Sequence, residues 1–466
     1  MPVIFITDAF IFLLVFMVIA FVFYARRHEH LRAPWHEVAR RPLAMSAAIV
    51  LSVYIIFGLL DSLHFHPKLE ATETSGTIYS TEISSMLDIL LDDLRQNTER
   101  TYSAPLASYA FAKEMIDQPN GKQLRGYPRL KYGGAHLGNP ESETAGDITK
   151  LILQGLICGL LISLLISSLI IIALGKKYQS DFRETSKKCL RNELDVSWNA
   201  ILVTLSIVIV TICCLYNLSQ YYHVLGTDKV GQDVLYQALK SIRTGLVIGT
   251  LTTLVMLPFA IMMGLMAGYF RGWIDDVIQY LYTTLNSIPG VLLIAASILL
   301  LQVYISNHAD DFTSLEQRAD LRLLFLCIIL GITSWTGLCR LLRAETLKLR
   351  EVDYVQAARA FGVGNLGIML RHLLPNVMHI VMISIVLDFS GLVLAEAVLS
   401  YINIGVDPSM NSWGNMINGA RLEMAREPIV WWSLAAAFIF MFVLVLAANL
   451  FSDAVRDAFD PRLRQF

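Results

Sequence analysis

The chain alternates between long apolar runs and shorter polar stretches, and nine of the runs reach the roughly 20 residues that a helix needs to cross a bilayer. They lie at 3–24, 43–60, 151–174, 200–218, 244–270, 277–305, 321–342, 377–401 and 429–451. The first run has no basic leading region and no small-residue cleavage pattern before Arg26, so it reads as a retained anchor rather than a signal peptide. Basic residues fall in alternate connections. Arg26, Arg27, Arg32, Arg40 and Arg41 share one; Lys176, Lys177, Arg183, Lys187, Lys188 and Arg191 a second; Arg340, Arg343, Lys348, Arg350, Arg359 and Arg371 a third. Because cytoplasmic loops collect Lys and Arg, these connections lie inside, the amino terminus lies outside and the carboxyl terminus inside.

The longest polar stretch, 61–149, is then extracytoplasmic. Within it Ile83, Met86, Leu87, Leu90, Leu91 and Leu94 recur at helical spacing, which predicts one amphipathic helix. Beyond Gln118 the run of Pro119, Gly121, Gly126, Pro128, Gly133, Gly134, Gly138 and Pro140 predicts turns rather than regular structure.

Composition narrows the function. Of 466 residues 55% are hydrophobic and 16% charged, well below the roughly 25% charge of soluble proteins, which excludes a soluble enzyme. A formal charge of -2 gives no global attraction to nucleic acid. The six cysteines lie in or beside apolar runs and form neither a disulfide framework nor a zinc spacing. His28, His30 and His36, and then His64 and His66, flank apolar runs and read as interfacial packing, so no metal site is predicted. No G-x-x-x-x-G-K-[ST] loop is present to cradle a triphosphate, and no catalytic triad or H-E-x-x-H stands out, so the chain reads as non-catalytic and without a cofactor of its own. Two acids, Asp388 and Glu396, lie inside an apolar run. An ionised side chain at mid-bilayer costs about 2.5 to 3.5 kcal/mol on insertion scales, so both are expected to face protein or water and are candidates for a translocation path. Asp8 reads as interfacial and is given no role.

The richest connection is 351–376, EVDYVQAARAFGVGNLGIMLRHLLPN, on the cytoplasmic side. Val352, Val355, Gln356, Ala358 and Arg359 fit a short helix, Gly362 and Gly364 interrupt it, and Ile368, Leu370 and His372 fit a second helix that Pro375 is expected to end. Ala357, Ala358 and Gly362 are small enough to let another backbone come close, as a protruding elbow received by a partner's cleft would require.

Here the chain resembles the integral membrane permease subunits of ATP-binding-cassette importers, whose signature is E-A-A-x(3)-G-x(9)-I-x-L-P. The corresponding residues are Gln356, Ala357, Ala358, Gly362, His372, Leu374 and Pro375, with Gln356 in place of the usual acid and His372 in place of the usual isoleucine. Over roughly 223–464 it is similar to the second permease of dipeptide and oligopeptide importers. The outer motif Gly226, Thr227, Asp228, Gly231 and Asp233 matches L-G-T-D-x-x-G-R-D-V, with Gln232 at the arginine. Ala267 to Asp275, Ala395-Glu396, Ser412 to Met416 and Asp460-Pro461-Arg462 extend the match.

The resemblance implies an all-α polytopic membrane protein. Its six-helix type I permease core, 199–466, would carry a cytoplasmic coupling loop at 344–376. About three extra transmembrane helices would precede it: two in 1–60 with a basic cytoplasmic loop, then the extracytoplasmic insert 61–149, then a third in 150–198. It implies half of a peptide pathway in a bacterial inner membrane, shared with a homologous permease chain as a heterodimer. An extracytoplasmic peptide-binding protein would deliver substrate, and two cytoplasmic ATP-binding subunits, holding ATP and Mg, would receive the coupling loop. The rival readings are import of another small solute such as nickel chelates, an ion-coupled secondary transporter working through Asp388 and Glu396, and a membrane anchor or sensor whose outer segment binds a ligand.

Overall fold

The computed structural model describes residues 2–27, 29–68, 79–80, 82–117, 123–308 and 314–459. His28 and the Asp460-Pro461-Arg462 motif lie outside the described residues. The helices are α1 (Ile6–Arg27), α2 (Glu29–Arg40), α3 (Pro42–Asp61), α4 (Met86–Leu90), α5 (Asp92–Gln96), α6 (Pro140–Tyr178), α7 (Phe182–Leu190), α8 (Trp198–Ser219) and α9 (Val234–Phe270). They continue with α10 (Trp273–Ser287), α11 (Gly290–Asn307), α12 (Leu315–Leu349), α13 (Asp353–Ala360), α14 (Asn365–Ile368), α15 (Leu374–Tyr401), α16 (Trp413–Glu423) and α17 (Trp432–Phe459). The strands are β1 (Pro2–Val3), β2 (His64–Phe65), β3 (Ser84–Ser85), β4 (Glu114–Asp117) and β5 (Gln123–Gly126).

Among the described residues nine helices are long and apolar enough to span a membrane, and each falls on one of the nine apolar runs. The run 277–305 is not one helix. Pro289 has no N–H to donate and forces Ile288 into an extended conformation (φ −90°, ψ 129°), so α10 stops at Ser287 and α11 carries the span alone.

The chain divides into two compact units. The first comprises Met1–Ile4, Trp35–Thr244 and Asn411–Ala447. In it α8 is flanked by α6 and α3. Gly155 and Gly159 on α6 make the close approach possible, since a Cβ on either would sit 2.8 Å from the Cα of Cys214 or Val210 on α8. Asn217 Nδ2 donates to the Leu151 carbonyl at 2.7 Å, and Thr204 Oγ1 donates to Ser46 Oγ at 2.9 Å, so polar bonds join α8 to both neighbours. The opposite face of α6, with Leu153, Leu160, Leu161 and Leu164, is exposed and apolar, as a lipid-facing surface requires.

The outer segment departs from an all-helical reading. β1, β2 and β3 form a small antiparallel sheet pairing Pro2 with Phe65 and His64 with Ser85, and β4 pairs with β5, a strand that falls in the stretch beyond Gln118 expected to hold turns. Pairing β1 with β2 puts the start of the chain on the same side as residues 61–149, in agreement with the charge pattern. The single amphipathic helix is two: Leu91 (φ −110°, ψ 24°) breaks it between α4 and α5, and a Ser85/Asp88 capping box fixes its start. Leu87 and Leu94 turn inward, and Leu94 joins Leu137, Leu151, Leu218, Tyr222, Val224 and Leu235 in the core of this unit.

The second unit comprises Phe5–Pro34, Gly245–Met410 and Ala448–Phe466. Its buried apolar residues form one cluster around Leu265, Trp335, Leu342, Ile368 and Leu373, and another around Ile248, Ile298, Leu326 and Leu399. α1 packs on α12: the Thr7 N–H donates to Asp320 Oδ2 at 3.2 Å, and the Thr7 hydroxyl to Asp320 Oδ1. Asp8, expected at an interface, is fully buried because that end of α1 is held against the protein.

Candidate coupling loop and outer latch

The elbow, which the charge pattern assigns to the cytoplasmic side, is built from α13, a turn, α14 and the start of α15, all in the second unit. α13 ends in a reciprocal pair of turn bonds, Val363 N–H to Ala358 O and Gly362 N–H to Arg359 O, both 3.1 Å. Gly362 takes φ +78°, the left-handed conformation this closure needs and a side chain resists. Val355 and Ala358 turn into the core cluster, whereas Gln356 and Ala357 are exposed and Phe361 stands 88% exposed at the tip. Of the two alanines expected to form the contact surface, Ala358 therefore packs inside the subunit, and the exposed apolar group at the tip is Phe361.

Pro375 does not end the second helix. Residues Met369–Leu373 form a π-helical turn in which the Leu374 N–H reaches back to the Met369 carbonyl, and Pro375 sits in the first turn of α15, where a missing N–H costs little. Asn376 Nδ2 takes up the His372 carbonyl at 2.6 Å. The helical path from Asn365 to Tyr401 is continuous, so the elbow is joined to a membrane span without a loop between them.

The elbow is also bolted to the connection between α9 and α10. Tyr269 Oη donates to Asn365 Oδ1 at 2.9 Å, and Arg350 donates to the Tyr269 carbonyl at 2.7 Å. Asp275 on α10 accepts two hydrogen bonds from Arg343, at 2.6 and 2.7 Å, and the guanidinium beside it holds the Asp275 carboxyl below its ordinary range. In the sequence, Arg343 and Arg350 stood out only as basic residues of the third connection, and Tyr269 and Asp275 only as part of the Ala267 to Asp275 match.

In the first unit, the motif Gly226 to Asp233 is a tight loop that grips the insert. Asp228 Oδ1 accepts from the Val230 and Gln232 N–H groups, each at 2.9 Å. Gly231 (φ +78°) lies against Glu99, where a Cβ would come within 1.9 Å of the Glu99 carbonyl oxygen. Thr227 Oγ1 accepts from the Ser103 N–H at 2.7 Å and donates to the Thr101 carbonyl at 2.9 Å, while Trp432 Nε1 donates to the Thr227 carbonyl at 2.9 Å. Asp233 caps α9 by accepting from the Leu235 and Tyr236 N–H groups at 2.8 and 3.2 Å. Gln232 accepts from Gln237 Nε2 at 3.2 Å.

Two buried ionic clusters complete this latch. His223 Nδ1 lies 2.8 Å from Asp233 Oδ2, and Nε2 is 3.5 Å from Glu99 Oε1, an ion-pair contact too long for a hydrogen bond. Glu99 in turn accepts from the N–H groups of Lys131, Tyr132 and Gly133 at 2.9, 2.8 and 3.2 Å. Burial opposes charge on both partners, but the acids outweigh it and hold His223 up at about 9, while His223 and the three N–H groups hold Glu99 down at about 2. In the second cluster Lys240 Nζ is 3.2 Å from Asp61 and 2.8 Å from Asp88. Tyr236 Oη also donates to Asp88, at 2.7 Å. Burial alone would raise Asp88; Lys240, Ser85 and Tyr236 bring it to about 2. Glu99, His223, Lys240, Asp61 and Asp88 were not predicted as a set, since nothing in their local sequence ties them together.

In α15, Glu396 is 2% exposed and accepts from Ser400 Oγ at 2.7 Å, the geometry of a satisfied structural acid. Asp388 is half-buried, two helical turns and about 12 Å away along the axis.

The binding-protein-dependent transport system inner membrane component family matches residues 260–465, a range that includes the elbow and the helices on either side of it. The chain is 31% identical over 244 residues to the glutathione transport system permease protein of Pectobacterium atrosepticum, covering 52% of this chain and 73% of that one. It is 32% identical over 242 residues to the oligopeptide transport system permease protein of Mycobacterium bovis, covering 52% of this chain and 77% of the relative. This chain belongs to that family of transport-system permeases. It is also 31% identical over 240 residues to the dipeptide transport system permease protein of Lactococcus lactis subsp. cremoris, of which it covers 64%. As a permease with nine apolar helices among its described residues, it is a multi-pass protein of the bacterial inner membrane. The family match starts at residue 260, so the helices α1, α3 and α6 and residues 61–149 lie outside it.

Proposed function

We propose that this permease forms half of the path of an ATP-driven peptide importer. In this reading a homologous permease chain supplies the other half as a heterodimer, and an extracytoplasmic peptide-binding protein delivers the substrate. Two cytoplasmic ATP-binding subunits carry ATP and Mg, while this chain binds no cofactor itself. The peptide substrate is carried over from relatives whose names specify glutathione, dipeptides and oligopeptides.

The observation that carries the mechanism is the continuous helix from the elbow into α15, reinforced by the Tyr269–Asn365 bond. A force applied at Phe361 reaches a membrane span through helical hydrogen bonds, and reaches the end of α9 through a side chain. Two spans therefore move with one contact, as rocking between inward-open and outward-open states demands. The coupling set is Gln356, Ala357 and Gly362 at the elbow's outer surface, with Ala358, His372, Leu374 and Pro375 shaping it from behind.

The test is peptide uptake by cells or vesicles holding the assembled transporter, with Gly362→Trp as the perturbation. The expected result is loss of both the bound ATPase subunits and uptake. Undiminished assembly and uptake, or uptake that survives ATP depletion while the membrane potential is held, would refute the reading.

A further inference from the structure

Beside the elbow lies a niche of about 270 Å³ lined by Tyr269, Arg350, Glu351, Val355, Gln356, Arg359 and Ala360. Its charge is unbalanced. Glu351 is the one carboxylate in the lining, and it is already taken up by Arg271 at 3.0 Å, Arg350 at 3.2 Å and Gln356 at 3.3 Å. Arg359 is exposed on α13, and its guanidinium has no hydrogen bond or ion pair among the described residues. Gln356, the residue standing where an acid is usual in the elbow signature, is neutral and donates its amide to Glu351. The niche thus offers an uncommitted guanidinium beside an excess of positive charge, on the face of the elbow that carries Gln356.

We propose that this niche receives an Asp or Glu side chain of the ATP-binding subunit that docks on the elbow. Docking is then reciprocal: the Phe361 tip enters the partner, and a partner carboxylate enters between Arg359 and Arg350. A planar guanidinium pairs with a carboxylate through two parallel N–H bonds, which fixes orientation as well as distance. The volume suits one acidic side chain with its waters. The proposal rests on the ATP-driven reading above and adds the chemistry of the partner: with Gln356 neutral, the complementary charge on the ATPase is negative.

The test uses the permease purified in its assembled transporter. Arg359→Lys keeps the charge and places an amine in the niche, and carbodiimide then joins that amine to any carboxylate in contact with it. The expected product is a cross-link to an Asp or Glu of the ATPase subunit, located by mass spectrometry. Arg359→Glu and Gln356→Glu should each weaken ATPase binding roughly tenfold at low salt, with the difference narrowing as salt rises. An assembled, transporting complex that gives no such cross-link, or one that binds ATPase equally well with Arg359→Glu, would overturn the niche proposal. Gly362→Trp separates the two claims. If it abolishes assembly while Arg359→Glu does not, the elbow reading stands and the niche proposal falls; if it too leaves assembly intact, both fall.

Discussion

Deprotonating His223 should loosen the grip of the outer loop on the insert. In the folded chain this imidazole, 4% exposed, lies between Asp233 and Glu99 and titrates at about 9 instead of the ordinary 6.5. A raised pKa means that the stabilisation is complete below about 6.5 and is lost as pH climbs through about 9. A shift of this size corresponds to about 3 kcal/mol, an upper value because the opened state keeps some of the same contacts. Glu99, held at about 2 against an ordinary 4.5, has the opposite sign: its contribution is complete above about 4.5 and is lost only as pH falls through about 2. The latch is therefore strongest in mildly acidic solution and weakens on the alkaline side. The assay is hydrogen exchange of the detergent-solubilised chain, read at the amides of Lys131, Tyr132 and Gly133, which donate to Glu99. After correction for the intrinsic rate, their protection should fall by on the order of 100-fold between pH 6 and pH 9.5. His223→Gln should show the lower protection already at pH 6, because it leaves two buried acids without their cation. Protection that is flat across this range, and the same in the variant, would refute the reasoning.

Gly155→Leu inserts a side chain where a Cβ already sits 2.8 Å from the Cα of Cys214, so α6 must move away from α8. The expected loss is about 1 to 3 kcal/mol, seen as a lower midpoint of thermal unfolding in detergent, while Leu160→Ala on the exposed face of α6 should change it little. Tyr269→Phe removes the hydroxyl that reaches Asn365 at a stability cost of about 1 kcal/mol, and in the assembled transporter it should lower peptide uptake per ATP hydrolysed while hydrolysis continues.

The positions of the spans were legible because hydrophobic length is a local property. The elbow was legible in the same way: Gly362 takes the left-handed turn that its place after a short helix implied. Misreadings came where a local rule met a longer-range contact. Pro375 signalled a helix end, but the π-helical turn before it absorbs the missing donor and the helix goes on. Ala358 looked like part of a contact surface because it is small, yet it packs against the core. The glycines and prolines after Gln118 hid β5, a strand of only four residues that pairs with β4.

By itself the sequence determined that this is a helical membrane protein and where the helix–turn–helix elbow lies. Each of these follows from residues close together in the chain. The tertiary structure alone decided that α6 and α3 flank α8, that Glu99 meets His223, and that Lys240 meets Asp61 and Asp88. It also decided that Arg359 lines a basic niche, its guanidinium without a partner among the described residues. Periodicity tells which face of a helix is apolar, but not which distant segment covers it. A buried charge is tolerated only when its counter-charge arrives from elsewhere in the chain, and that pairing exists only once the chain has folded.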